Sequence, residues 1–185
     1  MLQFSRGADT TTEPVPLAQI LDQALELAAN DYDLKKKYDF RSIEIIKDYQ
    51  GMPQVPIVSL EIEQVILNLI KNAAQAMTAN PPDRKPRISF RLRGEDRYAV
   101  LEVEDNGPGM AEDIRRRVFE PFFTTKEPGV GTGLGLSVSY MIVTQNHKGL
   151  MEVRSTPGRG TVFKVSLPIG GSKHEPVGKS INCGR

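Results

Sequence analysis

Two asparagines four residues apart, Asn68 and Asn72, and an aspartate that ends an apolar alternation, Asp105, stand where a chemical reason is needed. Asparagine is a poor residue for a helix interior. Both asparagines nevertheless lie in a stretch where Ile62, Val65, Ile66, Leu69, Ile70, Ala73 and Met77 recur at helical spacing, so they share one side of a helix along the edge of its apolar stripe. Their amide oxygens suit Mg²⁺, a hard cation that keeps waters and takes further ligands from substrate phosphates; two solvated residues on a helix flank are the other reading. In the strand predicted over Tyr98 to Asp105, alternation puts Ala99, Leu101, Val103 and Asp105 on one face and Tyr98, Val100, Glu102 and Glu104 on the other. An inward carboxylate is costly unless something bonds it. A ligand amino group would do so, and so would the Asn106-Gly107 turn if Asp105 simply caps it.

Gly131, Gly133 and Gly135 precede a helical pattern, where unsatisfied backbone N–H groups face a phosphate. No P-loop occurs, and the spacing is not a dinucleotide fingerprint. Phe119, Phe122 and Phe123 cluster in a loop, either as the latch of a lid or as a small core beneath it. Lys126 can meet a phosphate as a point charge or remain solvated. The two histidines are His147, near the end of the predicted helix, where a cap or packing role fits, and His174, in the tail. With no Ser-His-Asp set and no metal-ligand spacing, hydrolase readings have little support.

The elements that must position these groups read as follows. Pro16 and the repeat Leu17, Ile20, Leu21, Ala24, Leu25, Ala28 predict a helix to about Lys37. Short strands follow over Ser42 to Tyr49 and Val55 to Val58, then the long helix from Ser59 to before Asn80, with Glu61 and Glu63 near its start, where the dipole favours acids. Strands over Arg87 to Arg93 and Arg97 to Asp105, a helical turn at Glu112 to Val118, a helix over Gly133 to Gln145 and a hairpin of Leu150 to Ser155 with Thr161 to Leu167 complete the set.

The 185 residues suit a single domain with its own core. A net charge of +1 with 25% charged residues gives no broad footprint for nucleic acid or an acidic membrane. One cysteine, Cys183, fits a reducing, cytoplasmic setting. No apolar run approaches the roughly 18 residues that a membrane helix needs. Residues 1–14 read as a linker or the end of an upstream helix, 15–168 as the folded domain and 169–185 as a mobile tail.

In order along the chain, Asn68-Leu69-Ile70-Lys71-Asn72-Ala73, Asp105-Asn106-Gly107-Pro108-Gly109-Met110, Phe119-Glu120-Pro121-Phe122-Phe123-Thr124-Thr125-Lys126 and Gly131-Thr132-Gly133-Leu134-Gly135-Leu136 resemble the N box, first glycine box, F box and second glycine box of the catalytic ATP-binding domain of sensor histidine kinases. That superfamily also holds type II topoisomerases, mismatch-repair proteins and heat-shock chaperones. The resemblance implies a two-layer α/β sandwich, a mixed, mostly antiparallel sheet packed on helices, with ATP and Mg²⁺ held under a lid. It implies that Asn72 ligates Mg²⁺ with help from Asn68, and that Asp105 accepts from the adenine amino group with Thr161 nearby through water. Lys71, Gly107, Gly109, Phe119, Lys126, Gly131, Thr132, Gly133, Leu134, Gly135 and Leu136 would complete the nucleotide site.

ATP-hydrolysing relatives carry a glutamate base four residues before the Mg²⁺ asparagine, and Asn68 stands there instead. The site thus resembles one that holds ATP for an imidazole and not for water. Neither histidine has the setting of the family's phosphoacceptor. The partners implied are a separate histidine-bearing dimerisation domain, whose hairpin end Phe4-Ser5-Arg6 resembles, and a response regulator. An anti-sigma-factor-type serine kinase and a docking module without turnover are the alternatives.

Overall fold

The computed structural model describes residues 12–51, 53–126 and 132–170. Gly131, the tail from residue 171, His174, Cys183 and Phe4-Ser5-Arg6 lie outside them. Helix α1 (Leu17–Asn30) buries Leu17, Ala18, Ile20, Leu21, Ala24, Leu25 and Ala28, the stripe that the sequence predicts. It stops earlier than the predicted Lys37. Asp31 leaves helical geometry (φ −64°, ψ 127°), and its carboxylate accepts from the Leu34 N–H at 3.0 Å, capping a separate helix α2 (Tyr32–Tyr38). The apolar period runs on to the buried Leu34, so capping chemistry sets the break.

Ahead of α1, strand β1 (Glu13–Pro16) pairs antiparallel with β3 (Gln54–Ile57) as a separate two-stranded sheet. It takes in Glu13 and Pro14, which the sequence reading assigns to a linker. The main sheet has the order β2 (Glu44–Gln50), β4 (Arg87–Glu95), β5 (Tyr98–Asp105), β7 (Gly160–Pro168), β6 (Leu150–Thr156). Only β2 with β4 is parallel; the other pairs are antiparallel. This is the two-layer α/β sandwich with a mixed, mostly antiparallel sheet.

Helix α3 (Ser59–Met77) is the central element of the helical layer and lays Ile62, Val65, Ile66, Leu69, Ile70, Ala73 and Met77 into the core. Facing it from the sheet are Ile88, Phe90 and Leu92 of β4, Leu101 and Val103 of β5, and Phe163 and Val165 of β7. The outer sheet face is charged. Glu102, only 4% exposed, is covered there by Arg154 (2.8 Å), Arg93 (3.5 Å) and Arg91 (3.6 Å). Arg91 also reaches Glu104, and Glu95 joins Arg93 to Lys164.

Short helices α4 (Glu112–Arg117) and α5 (Gly135–Met141) flank the second half of the motif region. Helix α5 passes into a π turn over Ile142–Asn146 in place of regular helix to Gln145. That turn brings His147 against the start of α3, where its Nε2 accepts from the Val58 N–H at 3.1 Å. The proton therefore sits on Nδ1, which donates to the Ile142 carbonyl at 3.0 Å. His147 is buried and structural, and it satisfies an amide at a helix start that has no side-chain cap.

Ile66 of α3 is fully buried in the core. Ile66→Ala is expected to lower unfolding stability by about 2–5 kcal/mol, transfer and cavity costs together, read as a shift in denaturant midpoint at unchanged slope.

Candidate functional site

The stripe that seats α3 also fixes where its polar edge goes. Asn68, Lys71, Asn72 and Gln75 follow at three- and four-residue steps and all face a cavity of about 840 Å³ between α3, the inner end of β5 and the loop after α4. A cavity of that volume is within the range of nucleotide-sized ligand sites. Asp105 and Thr161 line its sheet end, and Gly109, Lys126, Thr132, Gly133, Gly135 and Leu136 line its loop side.

Asp105 is 5% exposed. Its Oδ1 accepts from the Gly107 N–H at 2.8 Å, as the turn reading expects, and the side chain also lines the cavity. Gly107 itself stands behind the carboxylate: a Cβ there would lie 2.8 Å from that oxygen. Burial pushes the Asp105 carboxyl up to about 6; backbone groups of Gly107 and Thr161 pull against burial, and Glu104 adds a smaller upward push. Gly109 (φ +70°) packs so close to the β6–β7 turn that a Cβ would fall 2.1 Å from the Thr156 carbonyl. The Ser155 hydroxyl ties this loop to the sheet, accepting from the Met110 N–H at 2.8 Å and meeting the Thr161 hydroxyl at 2.9 Å.

On α3 the two asparagines are differently engaged. The Asn68 amide nitrogen donates to the Gly135 carbonyl (3.3 Å) and the Ser139 hydroxyl (3.2 Å), fastening α5 to α3. The Asn72 oxygen accepts from the Lys126 ammonium at 3.4 Å, and Gln75 accepts from the same ammonium at 2.5 Å. Lys126 is half-buried in the cavity wall, and burial holds its pKa below the ordinary lysine value. Lys71 pairs with Asp31 at 3.0 Å, linking α3 to the cap of α2. Among the described residues no three His, Cys, Asp or Glu side chains cluster as a metal set. The donor at hand is an amide oxygen beside an open cavity, which fits a hard cation whose other ligands are phosphate and water oxygens.

The remaining expectations divide. Phe119 does not line the cavity: its ring packs on Tyr140 (centroids 5.0 Å) and Phe163 (6.3 Å), the small core beneath the loop. Leu134 lies outside the lining, partly exposed at the start of α5. Phe123 does line the cavity, under the Arg117 guanidinium at 4.3 Å. Phe122 (φ +64°) points to solvent, its N–H bonded to the Gly133 carbonyl at 2.9 Å, and a Cβ on Gly133 would lie 2.5 Å from the Phe122 backbone. Gln75 and Ala76, missing from the sequence reading, were findable at three and four residues beyond Asn72; of the α2 residues, Leu34 shows only the apolar period of a core position and Tyr38 no signal of a site.

Residues 57–171 match the model of the family described as histidine kinase-, DNA gyrase B-, and HSP90-like ATPase. The chain belongs to that ATPase family. It is 37% identical over 181 residues to sensor kinase CckA of Brucella abortus, covering 91% of this chain and 18% of that protein. It is 34% identical over 172 residues to sensor histidine kinase ZraS of Salmonella typhimurium, covering 91% and 34%. The chain thus spans between about a fifth and a third of the length of these relatives. Among solved structures, the catalytic domain of histidine kinase ThkA superposes with a TM-score of 0.70 at 25% identity, covering 85% of this chain and 95% of that one. Full-length ShkA in complex with AMPPNP gives 0.71 at 25%, covering 89% and 32%. No helix among the described residues is long and apolar enough to cross a membrane.

The Asp105 carboxyl has a stability consequence. Its pKa is raised in the fold, so the folded chain binds the proton more tightly than the unfolded chain, and ionising Asp105 costs stability as pH rises from about 4 through 6. Relative to Asp105→Asn, the native protein should lose on the order of 2 kcal/mol between pH 4 and pH 7, measured by parallel denaturant titrations.

Proposed function

We propose that this chain binds Mg-ATP and provides the catalytic half of a protein-histidine kinase, from which the γ-phosphoryl group passes to a histidine on a separate dimerisation domain. The observation that carries the reading is the buried Asp105 carboxylate at one end of a cavity whose other wall presents Asn68, Asn72 and Lys126. One end recognises an amino-bearing base and the other a phosphate chain with its cation.

Asp105 accepts from the adenine amino group while Gly107 N–H holds its other side in place. Thr161, fixed through Ser155, supports the same end. Asn72 offers its amide oxygen to Mg²⁺, and Thr132, Gly133, Gly135 and Leu136 line the phosphate end. Bound Mg-ATP supplies the transferable group and the charge neutralisation that phosphoryl transfer needs. Asn68 stands four residues before Asn72, and its amide is engaged with Gly135 and Ser139. An amide has no basic site to take a proton from water, which favours transfer over hydrolysis.

The domain is taken as residues 15–168, extended to include Glu13 and Pro14 of β1. A response regulator downstream and a cytoplasmic location, where ATP is supplied, belong to the same proposal. An isolated nucleotide-binding module is the outcome left if binding occurs without transfer.

The test is calorimetric titration with a non-hydrolysable ATP analogue with and without Mg²⁺, followed by transfer to a supplied histidine domain. Micromolar to millimolar binding that responds to Mg²⁺, and label on the acceptor, are expected. Asp105→Asn should weaken analogue binding about tenfold or more, and native affinity should fall as pH drops below about 6, where Asp105 gains its proton. Asn72→Ala should cut Mg²⁺-dependent transfer by about a hundredfold or more while the circular dichroism spectrum is kept. Normal transfer by that variant would remove the metal role from Asn72.

A further inference from the structure

Lys126 sits in an unusual electrostatic position. Its ammonium is half-buried, no carboxylate among the described residues pairs with it, and it is held by two neutral amide oxygens, Gln75 Oε1 at 2.5 Å and Asn72 Oδ1 at 3.4 Å. Burying a cation with only neutral acceptors costs free energy that an anion would relieve. The same Asn72 oxygen is the one that Mg²⁺ needs under the function proposed above, and this inference rests on that reading. One amide oxygen does not hold an ammonium and a divalent cation at bonding distance at once, because the two cations repel each other.

We infer that Lys126 is a placeholder cation, seated by Gln75 on the metal-binding oxygen of Asn72, and that it gives up this seat when a triphosphate and Mg²⁺ arrive together. Gln75 is thereby a positioning residue: it acts through Lys126 and sits one helical turn beyond Asn72 on the same face of α3. With the seat filled by Lys126, the nucleotide-free protein already neutralises the polar wall of α3, and Mg²⁺ competes with a tethered ammonium for entry. The tethered ammonium therefore opposes metal entry at Asn72, and the phosphate oxygens of the nucleotide give it another partner once it is displaced. The Coulomb attraction between Lys126 and a triphosphate is sequence-tolerant, but the exchange at Asn72 is a pairwise coupling that a double-mutant cycle isolates.

The experiment measures the dissociation constant of a non-hydrolysable ATP analogue in EDTA and in saturating Mg²⁺, and takes the ratio of the EDTA value to the Mg²⁺ value for the native protein, Lys126→Met, Asn72→Ala and the double variant. Lys126→Met should raise the ratio several-fold in the native background, and that rise should exceed the rise in the Asn72→Ala background at least threefold. Gln75→Met, which leaves every charge in place, should raise the ratio in the same direction by a smaller factor. Equal rises in both backgrounds would show Lys126 acting as a phosphate contact alone and would overturn the exchange, as would no rise at all. No shift from Gln75→Met would remove its positioning role. If the native folded protein binds no analogue under either condition, the nucleotide reading itself fails and this inference with it.

Discussion

A carboxylate buried at the inner end of a strand has to be stabilised by whatever surrounds it, and most of the local architecture around Asp105 answers to that. The Gly107 amide turns back to it, Gly109 lets the following loop press on the β6–β7 turn, and Ser155 ties that loop to Thr161 on the neighbouring strand. Even so, burial outweighs these donors and the carboxyl stays hard to ionise. The fold therefore holds a carboxyl whose ionised form is disfavoured by burial despite the backbone donors of Gly107 and Thr161.

The second constraint is the register of α3. Its apolar stripe is wide and leaves little freedom of rotation, so the core residues on one side dictate that Asn68, Lys71, Asn72 and Gln75 look into the cavity. Asn68 and His147 then bind α5 and the π turn after it to the body and the start of α3, through contacts of 3.1–3.3 Å. Helix α5 is short and has no side-chain cap of its own. Its position is inherited from the longer helix.

Much of this was legible in the sequence, because it follows from short-range periodicity. Helix α3, the strand face ending in Asp105 and the last hairpin are all periodic over enough residues to read directly. The break at Asp31 was not, since the apolar spacing runs through it and only the competition between capping and helix propagation decides. For Phe119 the sequence left latch and small core open, because its motif names a loop but not which of three neighbouring aromatics turns inward; the packing on Tyr140 and Phe163, distant in sequence, is not encoded locally. The seat of Lys126 on Gln75 spans 51 residues, and no local pattern encodes it.

The outer face of the sheet bears on how the molecule behaves at high local concentration. A two-layer fold leaves one sheet face to water, and the edge strands β2 and β6 leave two rows of backbone groups beside it. Here that face alternates Arg91, Arg93, Arg154 and Lys164 with Glu95, Glu102 and Glu104, so each charge has its partner within the plane. A second sheet stacking there would have to strip water from the whole lattice while offering no better counter-ions. Stacking through this face is thus disfavoured, which leaves the backbone rows of the two edge strands as the more open route to association. Domains tethered close together can crowd one another face to face without stacking their sheets.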